Sequence, residues 1–424
     1  GRRSGKDVKA SALASYLATF GAEQMGFLDN LVEGETGVVQ LIAVDRKQAK
    51  VCLGYLRAYF KRPLLAQMVE KSTAEGLELT NGLAIEITTN DQRSSRGRTV
   101  VAAVFDEVAF WSSENSANPD QAVYDAVKPS MVTIPGAMLI GISSPYARRG
   151  LLWNKHKRHY GKPGKTLVVQ APTWRMNPTI KRDGEFLTDA YRDDPASASA
   201  EYGAQFRTDV EAFVSIEVVE ACVAKGVYER APRFGVTYSA FVDPSGGSQD
   251  SMTLAIAHHE GCDDDELTVI DATREIKPPF SPEGVVKEFC DLLALYGITT
   301  VTGDAYAGEW PREQFRKHGV TYELSDKARS ALYQAMLPTL NSGRVVLLDD
   351  DKAVAQIAGL ERRTARGGRD SIDHAPGGHD DIANALAGAI ANASQPVGPL
   401  GWILTRHDEA PQSAERTTQR SYIP

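Results

Sequence analysis

The chain reads as an α/β protein of two domains, the first with a mainly parallel sheet and the second opening on an antiparallel meander. Three observations predict this. Strand and helix patterns alternate from Val38 to Ile142, the order that builds parallel sheets. The run Val100–Phe105 is continuously apolar and ends in Asp106 and Glu107, as suits a strand buried on both faces. A second series of strand patterns starts at Val236. A length of 424 residues exceeds what one hydrophobic core usually organises.

Composition narrows the class. Hydrophobic content of 42% and charged content of 24% are those of soluble globular proteins. No apolar run approaches a membrane span, and no basic-apolar-small pattern opens the chain. Neither a membrane protein nor an exported one is expected. Cys52, Cys222, Cys262 and Cys290 show no CxxC spacing and read as free thiols in a reducing cytosol. The net charge of −8 exerts no global pull on nucleic acid, so any such contact must come from local basic patches.

Taken in order, the chain opens Gly1-Arg2-Arg3-Ser4-Gly5-Lys6-Asp7 and runs into the helical pattern ASALASYLATF. Glycines ahead of Gly5-Lys6 at a helix start make a phosphate cradle: backbone N–H groups meet the anion and Lys6 reaches it as a point charge. Gly1 lies one residue too close for the general P-loop, and Asp7 replaces the Ser/Thr that holds Mg²⁺. A strand should feed such a loop, so residues upstream of Gly1 are expected. Val38–Val44 is a strand pattern followed from Asp45 by a helix; Leu83–Thr88 and Thr99–Phe105 are further strands. AVYDAVKPSMV is helical up to Pro129, and Ala137–Ile142 is a strand ending in Ser143-Ser144-Pro145. Ligands of such sheets bind beyond the carboxyl ends of the strands. Asp106 and Glu107 there can hold Mg²⁺ and orient a water; the bland alternative is a core strand with a solvated acidic end.

The ordered set GRRSGK, VVAAVFDEVAFW and GISSP resembles the ATPase of large terminase subunits, the DNA-packaging motors of tailed double-stranded DNA phages. That family's P-loop is typically shortened and Arg-containing, which accommodates the odd spacing. The resemblance implies ATP and Mg²⁺ bound by Gly1, Arg2, Arg3, Ser4, Gly5, Lys6 and Asp7. Lys6 would meet the β/γ phosphates and Arg2 would stabilise transition-state charge. Asp106 would hold Mg²⁺, Glu107 would polarise the attacking water, and Ser143-Ser144 would couple hydrolysis to movement. Asp7 departs from the family's Ser/Thr: it either ligates Mg²⁺ or repels the phosphates. Arg96 and Arg98 are candidates for an arginine offered to a neighbouring subunit, against a solvated basic loop.

From Arg148 the chain reads RRGLLWNKHKRHYGKPGK: Arg148, Arg149, Lys155, Lys157, Arg158, Lys162 and Lys165 with no acid among them. Clustered cations beside Trp153 and Tyr160 fit DNA phosphates, though most charge runs are only solvated faces. Thr166–Gln170 reads as one more strand, and 183–206 as a helical linking subdomain. Pro232 and Gly235 punctuate a linker over 213–235. The expected division is therefore an ATPase domain with its linking subdomain over 1–212, the linker, a second domain over 236–393 and a flexible tail over 394–424.

In the second domain, strands end in Asp243 and Asp304, Asp250 enters the strand Ser251–His258, and ELTVIDATREI completes a meander typical of an RNase H-like fold. PEGVVKEFCDLLALYG is a helix, and GGHDDIANALAGAIANA sets His379, Asp380 and Asp381 at the first turn of another. Acids gathered in one cleft need cations, and paired Mg²⁺ or Mn²⁺ ions about 3.5–4 Å apart clamp a phosphodiester. Each acid has a plain alternative: Asp380-Asp381 as a helix cap, Asp243-Pro244 as a turn, Asp304 as a loop cap. His258 and His259 read as core or surface residues. DPSGGSQD, the strand-GD segment and the GHDD helix resemble the terminase nuclease domain. Asp243 and Asp304 match its first two metal acids, Asp380 or Asp381 its third, and Asp250 an auxiliary one. Arg362, Arg363, Arg366 and Arg369, around the mobile Gly367-Gly368, read as a basic loop guiding DNA.

The expected function is a motor subunit that hydrolyses ATP to move double-stranded DNA into a procapsid and cuts concatemers by two-metal chemistry. The resemblance implies the portal protein and a small terminase subunit as partners. It further implies a homo-oligomeric ring when docked, with a monomer in solution allowed, in the host bacterial cytoplasm. Two alternatives stand: a helicase-like repair translocase-nuclease, and an ATPase-dead prophage docking protein with Asp7 as the lesion.

Overall fold

Strand β1 (Gly37–Ala43) is buried at every residue, and the first sheet is built outward from it. The structure, a computed structural model, describes residues 1–393 apart from 91–96, 112, 114, 115, 117, 249, 262–265, 305–308 and 365–369. Arg96, Cys262, Arg366, Gly367, Gly368, Arg369 and the tail expectation therefore lie outside the described residues. Strands β2 (Val69–Ser72), β3 (Gly76–Leu79), β4 (Leu83–Thr89), β5 (Thr99–Asp106) and β6 (Met138–Ile142) join β1 in the order β2-β3-β4-β1-β5-β6. β4, β1, β5 and β6 run parallel, and β2 and β3 add an antiparallel edge. Val100 to Phe105 are buried on both faces of the sheet, as a continuous apolar run requires. On one face the Lys6–Ala18 helix packs against the Arg46–Phe60 helix: Ala10, Ala14, Leu17 and Ala18 share a core with Cys52, Leu53 and Leu56. Asp45 starts the second helix by accepting a hydrogen bond from Gln48 N at 2.8 Å, an N-cap.

After β7 (Val210–Ala212), the second sheet comprises β8 (Tyr238–Asp243), β9 (Met252–Glu260), β10 (Leu267–Ile276), β11 (Thr300–Gly303), β12 (Thr321–Leu324) and β13 (Val345–Val346), ordered β12-β11-β8-β9-β10-β13. β8, β9 and β10 form the expected antiparallel meander; β11 lies parallel to β8 and β12 parallel to β11. One face carries the Asp381–Ala393 and Arg329–Asn341 helices and the other the Pro282–Leu295 helix. β14 (Leu360–Thr364) and β15 (Asp370–His374) form a hairpin that pairs with β7.

Two expectations need correction. Thr166–Gln170 forms no strand, and Leu167 and Val169 are 86% and 73% exposed; apolar alternation without a neighbouring strand gives extended chain but no ladder. The stretch 213–235 is not a bare linker. Phe213, Val214, Val219 and Cys222 belong to the second domain's core, and Ser215 caps a helix over Ile216–Ala221. Pro232 and Gly235 mark a turn inside the domain, because apolar anchors upstream already bind the chain to it. No described helix is long and apolar enough to cross a membrane.

Candidate functional site

Register decides the first site. β5 and β6 pair so that Asp106 lies opposite Ile142, which brings Glu107 beside Ser143 and Ser144. Ser144 N and Ser143 Oγ donate to Glu107 Oε2 at 3.0 and 3.2 Å. Lys6 Nζ lies 3.1 Å from Glu107 Oε1 and donates to Ser144 Oγ at 3.3 Å. Three separated stretches of sequence thus meet at one lysine. Gly5, at φ 72°, turns the chain into the Lys6–Ala18 helix; the left-handed region, with open space around a would-be Cβ, is what calls for glycine here. Arg3 and Glu107 adopt positive φ without being glycine, strain of the kind that collects at functional sites.

Asp106 is 2% exposed; its Oδ2 accepts from Gln48 Nε2 at 3.0 Å, whereas Oδ1 has no partner among the described residues. Burial, then the Asp7 charge, pushes its carboxyl up to about 6. Ligand oxygens of Asp7, Asp106 and Glu107 all lie within 4.8 Å of one another. An all-oxygen donor set with one orphaned buried oxygen fits Mg²⁺. Arg2 is placed differently: its side chain is 65% exposed and 3.8 Å from Glu201. Ser4 is buried, and Arg98 pairs with Glu86.

The second site lies at the far ends of β8 and β11, against the Asp381–Ala393 helix. Asn384 donates to Asp304 Oδ2 at 3.1 Å. Burial pushes Asp243 up to about 7, aided by the charges of Asp304 and Asp381 and opposed by a hydrogen bond from Asn384 and the charge of Arg329. Burial, with Asp380 next, raises Asp381 to about 6, against His379; Asp250, itself exposed, adds to the rise. Asp243, Asp304 and Asp381 are not among the carboxylate sets that close to within 4.8 Å. Their mutual repulsion and oxygen chemistry nevertheless fit divalent cations. Asp380 is engaged elsewhere. It is 2% exposed, takes Arg329 Nη1 at 3.0 and 3.1 Å, and accepts from Tyr333 OH at 2.8 Å. Gln356 Oε1 accepts from Ile382 N and Ala383 N at 2.8 and 3.1 Å, satisfying the helix start that carries Asp381.

Sequence reasoning missed Gln48, Arg329, Tyr333, Gln356 and Asn384. Arg329 and Tyr333 stand four apart on one helix face, and Asn384 one turn after Asp380; these spacings were the available signals. Of the histidines, His258 is buried between Asp271 and Glu260 (2.6 and 2.9 Å). Cys52, Cys222 and Cys290 are free and buried.

The basic stretch forms the Gly150–His159 helix and its flanks, with Arg148, Lys157, Arg158, Lys162 and Lys165 exposed. Lys155 donates to Tyr124 OH at 2.9 Å. Arg149 instead turns inward to the other domain, its Nη2 2.6 Å from Glu361 Oε1.

No curated protein matches the chain. Among solved structures it is similar to the large terminase of bacteriophage HK97, at 15% identity and a TM-score of 0.39 over 92% of this chain and 89% of that one. It is also similar to the large terminase nuclease of thermophilic phage G20c (18% identity, TM-score 0.36, 42% of this chain and 96% of that one). A third is the large terminase ATPase domain of Thermus phage P74-26 (20% identity, TM-score 0.35, 49% and 86%). Residues 1–204 match the family model described as "Uncharacterized protein MJ0330, N-terminal P-loop domain", and the N-terminal half of this α/β chain is accordingly a P-loop domain.

Proposed function

We propose that the chain is a DNA-packaging motor subunit that hydrolyses ATP in its first domain to drive double-stranded DNA into a phage procapsid. Its second domain, read as RNase H-like from the meander β8-β9-β10 flanked by β11 and β12, cuts concatemeric DNA. The observation that carries this reading is the pairing of two separate acid-lined sites, each at strand ends of its own sheet, with Lys6 present in only one of them. The ordered motifs that resemble large terminases supply the substrate class and the partners: a portal protein, a small terminase subunit and further copies of the chain.

In the first site Lys6 binds the β/γ phosphates, for which it must leave Glu107. Release of Lys6 frees the Glu107 carboxylate to take a proton from the attacking water, while Ser143 and Ser144 keep hold of its Oε2. Strand β6 therefore feels which partner Glu107 has, which is the step that couples hydrolysis to movement. Mg²⁺ held by Asp7 and Asp106 would neutralise charge on the phosphates. In the second site Asp243, Asp304 and Asp381 form the acidic cleft, with Asn384 fixing Asp304. Two divalent ions there would activate water and stabilise the leaving oxygen. Asp250 lines the rim. The exposed cations of the Gly150–His159 region meet the DNA backbone, as their counterion release favours.

Two substitutions test the two halves. Glu107→Gln should lower ATP turnover by about 10²-fold or more while nucleotide binding persists, and Asp243→Ala should abolish Mn²⁺-dependent cleavage of plasmid DNA. Unchanged ATP turnover in the first variant, or persistent cutting in the second, refutes the corresponding assignment.

A further inference from the structure

One cation stands beside the acidic cleft of the second domain, held by Asp380, the residue before Asp381. Arg329 begins the Arg329–Asn341 helix and pairs through Nη1 with both oxygens of Asp380, at 3.0 and 3.1 Å. Its side chain nevertheless remains 46% exposed, while that of Asp380 is 3% exposed. Every hydrogen bond and ion pair of the guanidinium among the described residues runs through Nη1 to Asp380. The N–H groups of Nε and Nη2 are left for something else.

The anchoring is firm on the protein side. Tyr333, one turn along the same helix, donates to Asp380 Oδ2 at 2.8 Å. Asp380 in turn precedes the helix whose first residue is Asp381. Burial works against the charge of Arg329, but Asp380, Tyr333, Asp243 and Asp373 together hold it above its ordinary range. The guanidinium thus stays charged, with Nη1 pinned by Asp380 and Nε and Nη2 open. A planar fork with free donors in a cleft suits a phosphate, which it grips through parallel hydrogen bonds.

We propose that Arg329 is a catalytic residue of this cleft, donating from Nε and Nη2 to a non-bridging oxygen of the scissile phosphodiester. This rests on the nuclease reading above. Such a contact strengthens as negative charge builds on the phosphoryl oxygens, so it acts on the chemical step more than on DNA affinity. Asp380 is then the anchor that aims the fork, and Tyr333 the group that aims the anchor.

The experiment measures single-turnover cleavage of a short duplex at saturating Mn²⁺ for the full chain and for Arg329→Ala and Arg329→Lys. Mn²⁺ binding is measured in parallel by calorimetry without DNA. Failure of the unsubstituted chain to cleave would sink the nuclease reading itself; the proposal is judged only where that chain cuts and Asp243→Ala does not. Arg329→Ala should lose about 10²–10³-fold in rate while binding Mn²⁺ at least as tightly, since a competing cation has gone. Arg329→Lys keeps the charge beside Asp380 without the fork, and should bind Mn²⁺ as before but cleave about 10-fold or more slowly. Cleavage by Arg329→Ala within about threefold of the unsubstituted rate overturns the proposal. So does loss of Mn²⁺ binding in step with cleavage in Arg329→Ala, the mark of a purely structural counter-ion. Should Arg329→Ala fail to fold, full activity of Arg329→Lys overturns it in the same way.

Discussion

Asp243 is pushed up to about 7 and Asp381 to about 6, first by burial and then by neighbouring acids. Asp106 in the other site is raised to about 6 for the same reasons. Each value lies above the 3.8 of an ordinary aspartate. Between that pH and the folded value, the folded chain keeps protons that the unfolded chain has released. The contribution of these three acids to the stability of the metal-free protein therefore falls as pH rises through this window and levels off above about 7, outweighing the opposite, single-group effect of the Gly1 amino group, which burial lowers to about 6. Divalent metal binds the deprotonated acids and reverses the loss. Thermal unfolding from about pH 5 to 8 in EDTA should show a declining Tm, and added Mg²⁺ should raise Tm most at the alkaline end. A metal-free Tm that climbs across this range would contradict the placement of these acids.

The Asp381–Ala393 helix shows how one element is held for its first residue. Its small residues let it lie close on β8 and β9: a Cβ at Gly388 would come 2.1 Å from Cγ of the Phe241 ring. Gly388 is therefore required by close approach, not by backbone conformation. Gly388→Ala must lift the helix off β8, and should cost about 1–3 kcal/mol in denaturant unfolding. Cleavage should weaken with it because Asp381 moves away from Asp243. Stability equal to that of the parent chain would show that the ring can yield. The Lys6–Ala18 helix uses the same device, with Ala10, Ala14 and Ala18 against the neighbouring helix, and it too carries its functional residue at its first position.

Across the whole molecule, the two domains meet at a buried carboxylate. Glu361 on β14 is fully buried, and accepts from Tyr146 OH at 2.7 Å, Arg149 Nη2 at 2.6 Å and Arg363 Nη2 at 3.1 Å. Tyr146 and Arg149 follow directly on Ser143-Ser144, so the segment that touches Glu107 is also the one that grips the second domain. Removing one partner of a buried ionic cluster leaves the others unpaired, which costs about 3–5 kcal/mol. Glu361→Ala should accordingly lower stability and, in calorimetry, separate the melting of the two halves. A single transition with unchanged Tm would mean that the domains are held by other contacts.

The α/β alternation, the meander and the acids at strand ends were legible locally, because burial on both faces demands continuous apolar runs and chain polarity places their last residues at one edge. Asp106, Glu107, Asp243 and Asp304 could be picked out for that reason. The Lys6–Glu107–Ser144 contact, the partners Gln48 and Asn384, and the engagement of Asp380 by Arg329 and Tyr333 could not. They depend on register between strands and on helices far apart in the chain, and one residue of slip would undo each of them. Local periodicity likewise marked Thr166–Gln170 as a strand, and the Pro232 and Gly235 punctuation marked 213–235 as a linker. A strand exists only where another lies beside it, and a segment links domains only if neither core claims its side chains, and both conditions belong to the folded molecule.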